Sequence, residues 1–325
     1  MVERALLQRL SDGRLQRYTD LQRGFGLDAA GLGAVIARLQ ALGLDIRSEI
    51  EAGESGYRLG SALDLLDQTA IVDGMSPLAR HCFGSPGVLL STPSTNQVLL
   101  EHERGGDLRA CLAEHQSAGR GRRGRDWVSP FGRNLYVSVR YAMALPAQSL
   151  PGLSLAAGVC LAESLAALGV RGIGLKWPND LVTLRGKLGG ILIELGGCED
   201  GVWPVVIGVG VNVDLPVEAT RRVGQPATDL RHELGARPAR NPCAARLLDA
   251  LAECLVEYQR CGLDTFRQRW SRLDVLAGRP VRVQNGEAIV EGVARGIDVT
   301  GALRVETAAG ILKLDAGDVS VRAVT

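Results

Sequence analysis

No Cys-x-x-Cys pair occurs anywhere in the chain, and its seven cysteines are scattered, at positions 82, 111, 160, 198, 243, 254 and 261. An odd, dispersed set excludes a complete disulfide framework and is expected to remain as buried free thiols in a reducing compartment. The four histidines, His81, His102, His115 and His232, have no metal-ligand spacing, so no zinc site is expected. The amphipathic, charged start MVERALLQRL is not a signal peptide, and no apolar run is read as reaching the roughly 18 residues of a membrane span. No membrane association and a cytoplasmic location are therefore expected. Excess charge is also missing: the net is only +1 over 325 residues, so any attraction for phosphate must come from a local cluster. Internal repeats and low-complexity tracts are absent too. The length and the 46% apolar content suit two or three globular domains.

Three compositional regimes follow one another. Val2 to Leu10 and the stretch from Asp28, with Leu32, Val35, Ile36 and Leu39 on one face, have helical spacing. Ile46 to Ile50 and Gly56 to Leu59 read as strands around a turn at Glu51–Ser55. Helices followed by a strand pair predict a winged helix-turn-helix over 1–63, with 64–84 as linker. From there to 272 the pattern is α+β. Short strands are expected at Val88–Leu90, Leu108–Gln116, Asn134–Tyr141, Gly174–Thr183, Lys187–Leu195 and Trp203–Val213. Helices are expected from Ser94 or Thr95 towards Glu103, over Leu153–Leu168 and over Pro242–Trp270. Residues 273–325 alternate in short strands up to Val324, separated by Gly and Asp turns, which predicts a small β-barrel.

The chemistry concentrates in a few segments. Gly119 to Arg125 (GRGRRGR) sets four arginines among three glycines. Such a loop is expected to be mobile when empty, because its like charges repel and glycine adds no stiffness. An anion would relieve the repulsion and order it. A solvated basic loop or an RGG-type nucleic-acid contact uses the same residues, although RGG segments normally repeat. Trp127 follows directly and suits either stacking on a planar base or ordinary packing. KWPND, Lys176–Asp180, presents a cation, an amide and a carboxylate. Lys187 opens the apolar strand KLGGILIEL, so its charge needs an anionic partner or a route to solvent. Ser94-Thr95-Asn96 suits a helix cap, Gln116 carries both donor and acceptor, and Gly208–Asn212 (GVGVN) lacks nucleotide-motif spacing.

In this order, STN, GRGRRGR with Trp127 and SPFG, KWPND, KLGGILIE and GVGVNV resemble the biotin–protein ligase family in its bifunctional ligase/repressor form, along essentially the whole chain. The resemblance implies an SH3-like barrel at the C-terminus and a ligase that activates biotin with ATP and Mg²⁺ as biotinyl-5′-AMP. It implies transfer to a lysine of biotin carboxyl carrier protein, and a homodimer when the adenylate is bound. It implies that Ser94, Thr95, Asn96, Gln116, Arg120, Gly121 and Arg122 surround biotin, with Lys187 at its carboxylate and the α-phosphate. Arg123, Arg125, Trp127, Asn179, Ile191 and Asn212 would form the adenylate pocket. Lys187, Arg122 and Asp180 would be catalytic, with Asp180 also the expected Mg²⁺ contact. A DNA-binding biotin sensor without ligation and a lipoate-type ligase are the alternatives; intact Lys187 argues against the first, the glycine–arginine loop and KWPND against the second.

The candidate recognition helix departs from a DNA reader. DAAGLGAVIARL, from Asp28, offers one cation, Arg38, and two interior glycines, Gly31 and Gly33, each weakening a helix by about 1 kcal/mol relative to alanine. Arg14, Arg17 and Arg23 are available for phosphates. Operator binding by a repressor and a domain that merely orders the ligase site are both open at this point.

Overall fold

A computed structural model describes residues 2–101, 108–285, 288–315 and 319–323. The apolar spacing of the first sixty residues closes a small core of its own. Helices α1 (Val2–Leu10), α2 (Tyr18–Phe25) and α3 (Ala29–Ala41) pack Leu6, Leu7, Leu10, Leu21, Leu32, Val35, Ile36 and Leu39 together. Asp28 caps α3, its carboxylate accepting the Gly31 N–H at 2.7 Å. Three antiparallel strands flank them: β1 (Gln16–Arg17), β2 (Ile46–Glu51) and β3 (Glu54–Leu59), in the order β1-β3-β2. The β2–β3 turn is shorter than expected. Only Ala52 and Gly53 lie outside the ladder, both at positive φ, the geometry of a two-residue hairpin.

Residues 64–84, expected as a linker, are instead built into the fold. They form α4 (Gln68–Gly74) and α5 (Pro77–Phe83), because Ile71, Met75, Ala79 and Phe83 bury into the main core. That core belongs to a seven-stranded mixed sheet. Along the chain come β4 (Gly87–Leu89), α6 (Thr95–Glu101), β5 (Ala110–Ala113), β6 (Leu135–Met143), α7 (Leu153–Ala167), β7 (Gly174–Lys176), β8 (Asp180–Thr183), β9 (Gly186–Leu195) and β10 (Trp203–Val211). The sheet order is β4-β5-β6-β10-β9-β8-β7, with only β4 and β5 parallel. The helices α8 (Val217–Arg222), α9 (Leu230–Leu234), α10 (Arg240–Cys261) and α11 (Asp264–Leu273) follow, and α10 and α11 pack on α7. The run Ser149–Ala167 is apolar enough to cross a membrane by length and composition, but 67% of it is buried inside the protein.

The tail forms β11 (Pro280–Asn285), β12 (Ala288–Ile297), β13 (Leu303–Thr307), β14 (Gly310–Leu314) and β15 (Val319–Ala323), an antiparallel sheet ordered β14-β13-β12-β11-β15. Val281, Val283, Leu303 and Val305 share the main core, so this sheet is docked on the central one. His102, the end of the helix expected to reach Glu103, and Val324 lie outside the described residues.

Two further expectations are overturned. Gly174–Thr183 is not one strand but the hairpin β7–β8, with Lys176 opposite Asp180, because Pro178 lacks the N–H a ladder requires. The cysteines are all free, as expected, yet Cys198 and Cys261 are exposed rather than buried.

Candidate active site

The floor of the site is made by what strands β9 and β10 omit. Gly190 and Gly210 are register partners, and Gly208 lies one pleat along. Without side chains, the sheet lies bare on this face. A Cβ at Gly210 would collide with the Trp127 indole, one at Gly190 would sit 3.2 Å from it, and one at Gly208 would collide with Asn96 Oδ1. The face therefore accepts planar groups laid directly against backbone.

Lys187 reaches this face through a bulge. Leu181 pairs with Gly189 and Val182 with Lys187, leaving Leu188 without a partner on β8. Lys187 and Gly190 are three residues apart and would face opposite ways in a regular strand. The extra residue turns Lys187 back to the open face, where its Nζ lies 3.4 Å from where a Gly190 Cβ would be. Its ammonium pairs with Asp180 at 2.7 Å and lies 5.4 Å from the centre of the Trp127 ring. The partner the sequence demanded is thus a carboxylate from the neighbouring hairpin.

The loop forms the opposite wall. Gly121 N–H donates to Arg125 O at 2.7 Å and Trp127 N–H to Gly119 O at 2.8 Å, so the segment folds back on itself. Arg123 and Gly124 both take positive φ at its tip, a conformation glycine adopts freely and arginine does not. Arg123 and Arg125 are exposed. Arg122 Nη1 lies 3.5 Å from Asn179 Oδ1, linking the loop tip to the β7–β8 hairpin. Trp127 Nε1 is buried and has no hydrogen-bond partner, a donor left for a ligand.

Polar groups from α6, β6 and the segment after β5 close one end. Gln116 Oε1 accepts from the Thr95 backbone N–H at 2.9 Å and from its hydroxyl at 3.2 Å. Ser138 Oγ lies 2.7 Å from Thr95 Oγ1 and 2.6 Å from Asn96 Oδ1. At the other end Asn179 donates to Ile191 O at 2.7 Å, while Asn212 donates to Thr228 O at 3.0 Å and Lys187 O at 3.4 Å. Asn179 thus braces β9, and Asn212 ties the start of β9 to the segment at Thr228.

These walls enclose one cavity of about 990 Å³. The structure brings every sequence-predicted residue to its lining: Ser94, Thr95, Asn96 and Gln116 at one end, Arg120 to Arg125 and Trp127 along the loop, and Asn179, Asp180, Lys187, Ile191 and Asn212 opposite. Sequence reasoning missed three contributors. Arg222 to Pro226 lines the mouth, brought there because Lys187 N–H donates to Pro226 O at 2.9 Å; no motif marked it. Ser138 and Glu194 were missed as well. Each is a polar residue interrupting an apolar central strand, and that interruption was the available signal. Among the described residues no group of three His, Cys, Asp or Glu side chains could hold a metal ion.

A cavity with two cationic walls, a flat glycine floor and a neutral polar end is suited to holding two anionic reactants side by side, as an acid-activating ligase must. In agreement, residues 88–212 match the biotin/lipoate A/B protein ligase family and residues 277–322 the biotin protein ligase C-terminal domain. The biotin protein ligase of Aquifex aeolicus, solved in complex with biotin and ATP, has a similar fold: TM-score 0.63 at 27% identity, covering 74% of this chain and 100% of that one. The bifunctional ligase/repressor BirA of Salmonella typhimurium is 37% identical over 98% of this chain and 96% of its own length. The biotin–[acetyl-CoA-carboxylase] ligase of Mycobacterium tuberculosis is 36% identical over 71% of this chain and 87% of its own. The chain belongs to the biotin–protein ligase family.

Proposed function

We propose that this protein activates biotin with ATP and transfers it to a lysine of a biotin-acceptor domain, that of biotin carboxyl carrier protein. The observation that carries this reading is the convergence of the loop, the β7–β8 hairpin and the bulged start of β9 on one cavity, with Lys187 at its centre. The neutral end at Thr95, Asn96 and Gln116 supplies donors and acceptors for an uncharged bicyclic urea. Lys187 and Arg122 face the carboxylate and the α-phosphate, and Trp127 offers its ring face and its unpaired indole N–H to the nucleotide.

The biotin carboxylate attacks the α-phosphorus, pyrophosphate leaves, and the product is the mixed anhydride biotinyl-5′-AMP. Bringing two anions together is the electrostatic obstacle, and preorganised cations in a water-poor cavity remove it. Closure of the loop over the adenylate shields it from water. The ε-amine of the acceptor lysine then attacks the carbonyl and AMP leaves. Mg²⁺ fits this site only as a nucleotide-borne ion: Asp180 would supply one carboxylate, the phosphates and water the rest, and the ion would screen phosphate charge. Asp180 also orients Lys187 through their 2.7 Å contact.

Incubation with ATP, Mg²⁺, biotin and an acceptor domain, read by the acceptor's mass, tests the function; an unmodified acceptor sinks it. Running lipoate in parallel separates the lipoate-type alternative. Lys187→Ala is expected to abolish adenylate formation while the fold survives. A variant that exchanges labelled pyrophosphate into ATP at the parent rate excludes the role.

Two relatives named bifunctional ligase/repressors match 98% of the chain, which supports repression as a second activity; a winged helix-turn-helix in α1–β3, an SH3-like barrel in β11–β15 and an adenylate-promoted dimer belong to the same proposal. The DNA-facing chemistry is sparse. Positions 1–63 hold eight acidic and eight basic residues, and Arg38 of α3 is paired with Glu3 at 2.5 Å. A gel shift on the protein's own biotin-gene promoter, with and without biotinyl-5′-AMP, decides between repression and a supporting role for the module.

A further inference from the structure

Arg120, the first arginine of the loop, is held differently from Arg123 and Arg125. Its guanidinium meets Glu194 of β9 through two contacts, Nη1 to Oε1 at 2.9 Å and Nη2 to Oε2 at 3.0 Å. This is the planar fork that a carboxylate holds most firmly. Glu194 Oε2 also accepts from Asn96 Nδ2 at 2.8 Å. From Asn96 the polar chain passes through Ser138 and Thr95 to Gln116. Gln116 Nε2 donates to Ser129 Oγ at 3.3 Å, and Ser129 Oγ donates to Trp127 O at 3.0 Å. One chain of polar contacts thus starts at the loop's first arginine, passes through α6 and β6 and returns to Trp127, two residues beyond the loop.

We infer that Glu194 is a positioning and specificity-determining residue for the neutral end of the cavity, acting through Arg120 and Asn96. It does not line the cavity itself, so it is not a catalytic residue. It does two things. It fixes Asn96 and Arg120 relative to the glycine floor before any ligand arrives, so the bicycle's end of the site is formed while the loop tip is free to close later. It also neutralises Arg120. With the fork occupied, this end offers uncharged donors and acceptors to a urea or amide head. With the fork empty, Arg120 becomes a receptor for small anions, and a ligand's carboxylate could bind in reverse.

The inference rests on the biotin reading of the site, and the experiment separates the two. Parent and Glu194→Gln are assayed for adenylate formation with biotin varied at saturating ATP, then with ATP varied at saturating biotin. Each assay is run with and without added inorganic phosphate. Glutamine is isosteric and can still accept from Asn96, but it cannot hold the guanidinium as a charged fork. The expected result is a biotin KM raised about tenfold, a kcat within about threefold and an ATP KM unchanged. Phosphate at a concentration without effect on the parent raises the biotin KM of the variant further. In an Arg120→Ala background the Glu194 substitution has no additional effect, because the two act as one unit. A biotin KM that stays at the parent value, a kcat that falls alone, or additive effects in the double variant overturns the inference. Should Glu194→Gln fail to fold, Arg120→Lys, which keeps the charge but not the fork, carries the same expected KM and phosphate signatures. A parent that makes no adenylate overturns the function; a working parent beside an unmoved variant overturns only the role of Glu194.

Discussion

Gly208 shows how much a missing side chain can decide. Asn96 Oδ1 occupies the space where its Cβ would be, and that oxygen is also the contact of Ser138. Gly208→Ala must push Asn96 away from the floor and break the polar chain to Gln116. The expected outcome is a biotin KM raised by at least about tenfold with little change in ATP KM, read by steady-state adenylation. An alanine variant with parental biotin kinetics would show that this end of the cavity adapts. The sequence marked GVGVN only as a weak motif, because the need for glycine comes from a helix packed across the sheet. Lys187 and the loop were legible for the opposite reason: a cation entering an apolar strand and four clustered arginines are anomalies in one dimension. Asn179 and Asn212 were read as ligand contacts; both line the cavity, and the Asn212 NH2 also donates to the Lys187 and Thr228 carbonyls. A sequence does not reveal whether an amide faces a cavity or a neighbouring strand.

Elements carry the site by deviating from regularity. The bulge at Leu188 was invisible to a period-two reading, which sees apolar runs and not where an extra residue falls. Positions 64–84 looked like a connector because they follow the polar stretch Gly60 to Asp67, yet Ile71, Met75, Ala79 and Phe83 seat α4 and α5 in the main core beside α10. A buried ion pair secures that junction. Arg240, at the start of α10, contacts Glu114 Oε2 at 2.7 Å with both side chains at 0% exposure, and also donates to Asp64 O and Asn134 O. The other Glu114 oxygen accepts from the Leu66 N–H at 2.6 Å. Arg240→Met strands a buried carboxylate and is expected to cost about 3–5 kcal/mol, seen as a lower denaturation midpoint. Replacing both partners, Glu114→Leu with Arg240→Met, should recover part of that loss. A single variant as stable as the parent would show that water reaches Glu114.

At the scale of the whole molecule, the docking of the C-terminal sheet holds a pH response. Asp274 lies between α11 and β11 and pairs with Leu175 across the junction. Its Oδ1 accepts from the Leu276 N–H at 2.9 Å, while Oδ2 is buried without a partner. Burial pushes its carboxyl up to about 6. The unfolded chain titrates near the ordinary value of about 3.9, so between these values the folded protein carries the extra proton. Stability therefore falls as pH rises through that window, and the cost above it is about 1–3 kcal/mol. The parent should be more stable to urea at pH 5 than at pH 7.5, and Asp274→Asn should flatten the difference while stabilising the protein at pH 7.5. An equal pH slope in both proteins would assign the response to other groups. The order of the three sheets was legible because composition changes along the chain; how they share core residues was not.

One shared residue has a consequence for engineering. Phe131 follows the active-site loop by four positions beyond Trp127, yet it is buried in the hydrophobic cluster of α1–α3, beside His115 at a ring separation of 6.5 Å. A Cβ at Gly132 would lie 3.2 Å from Leu63. A scissor placed after residue 63 would strip an aromatic ring of its cover four residues from Trp127, which lines the cavity. Grafting another family member's N-terminal module onto this enzyme would require transplanting the residues that face Phe131 along with it.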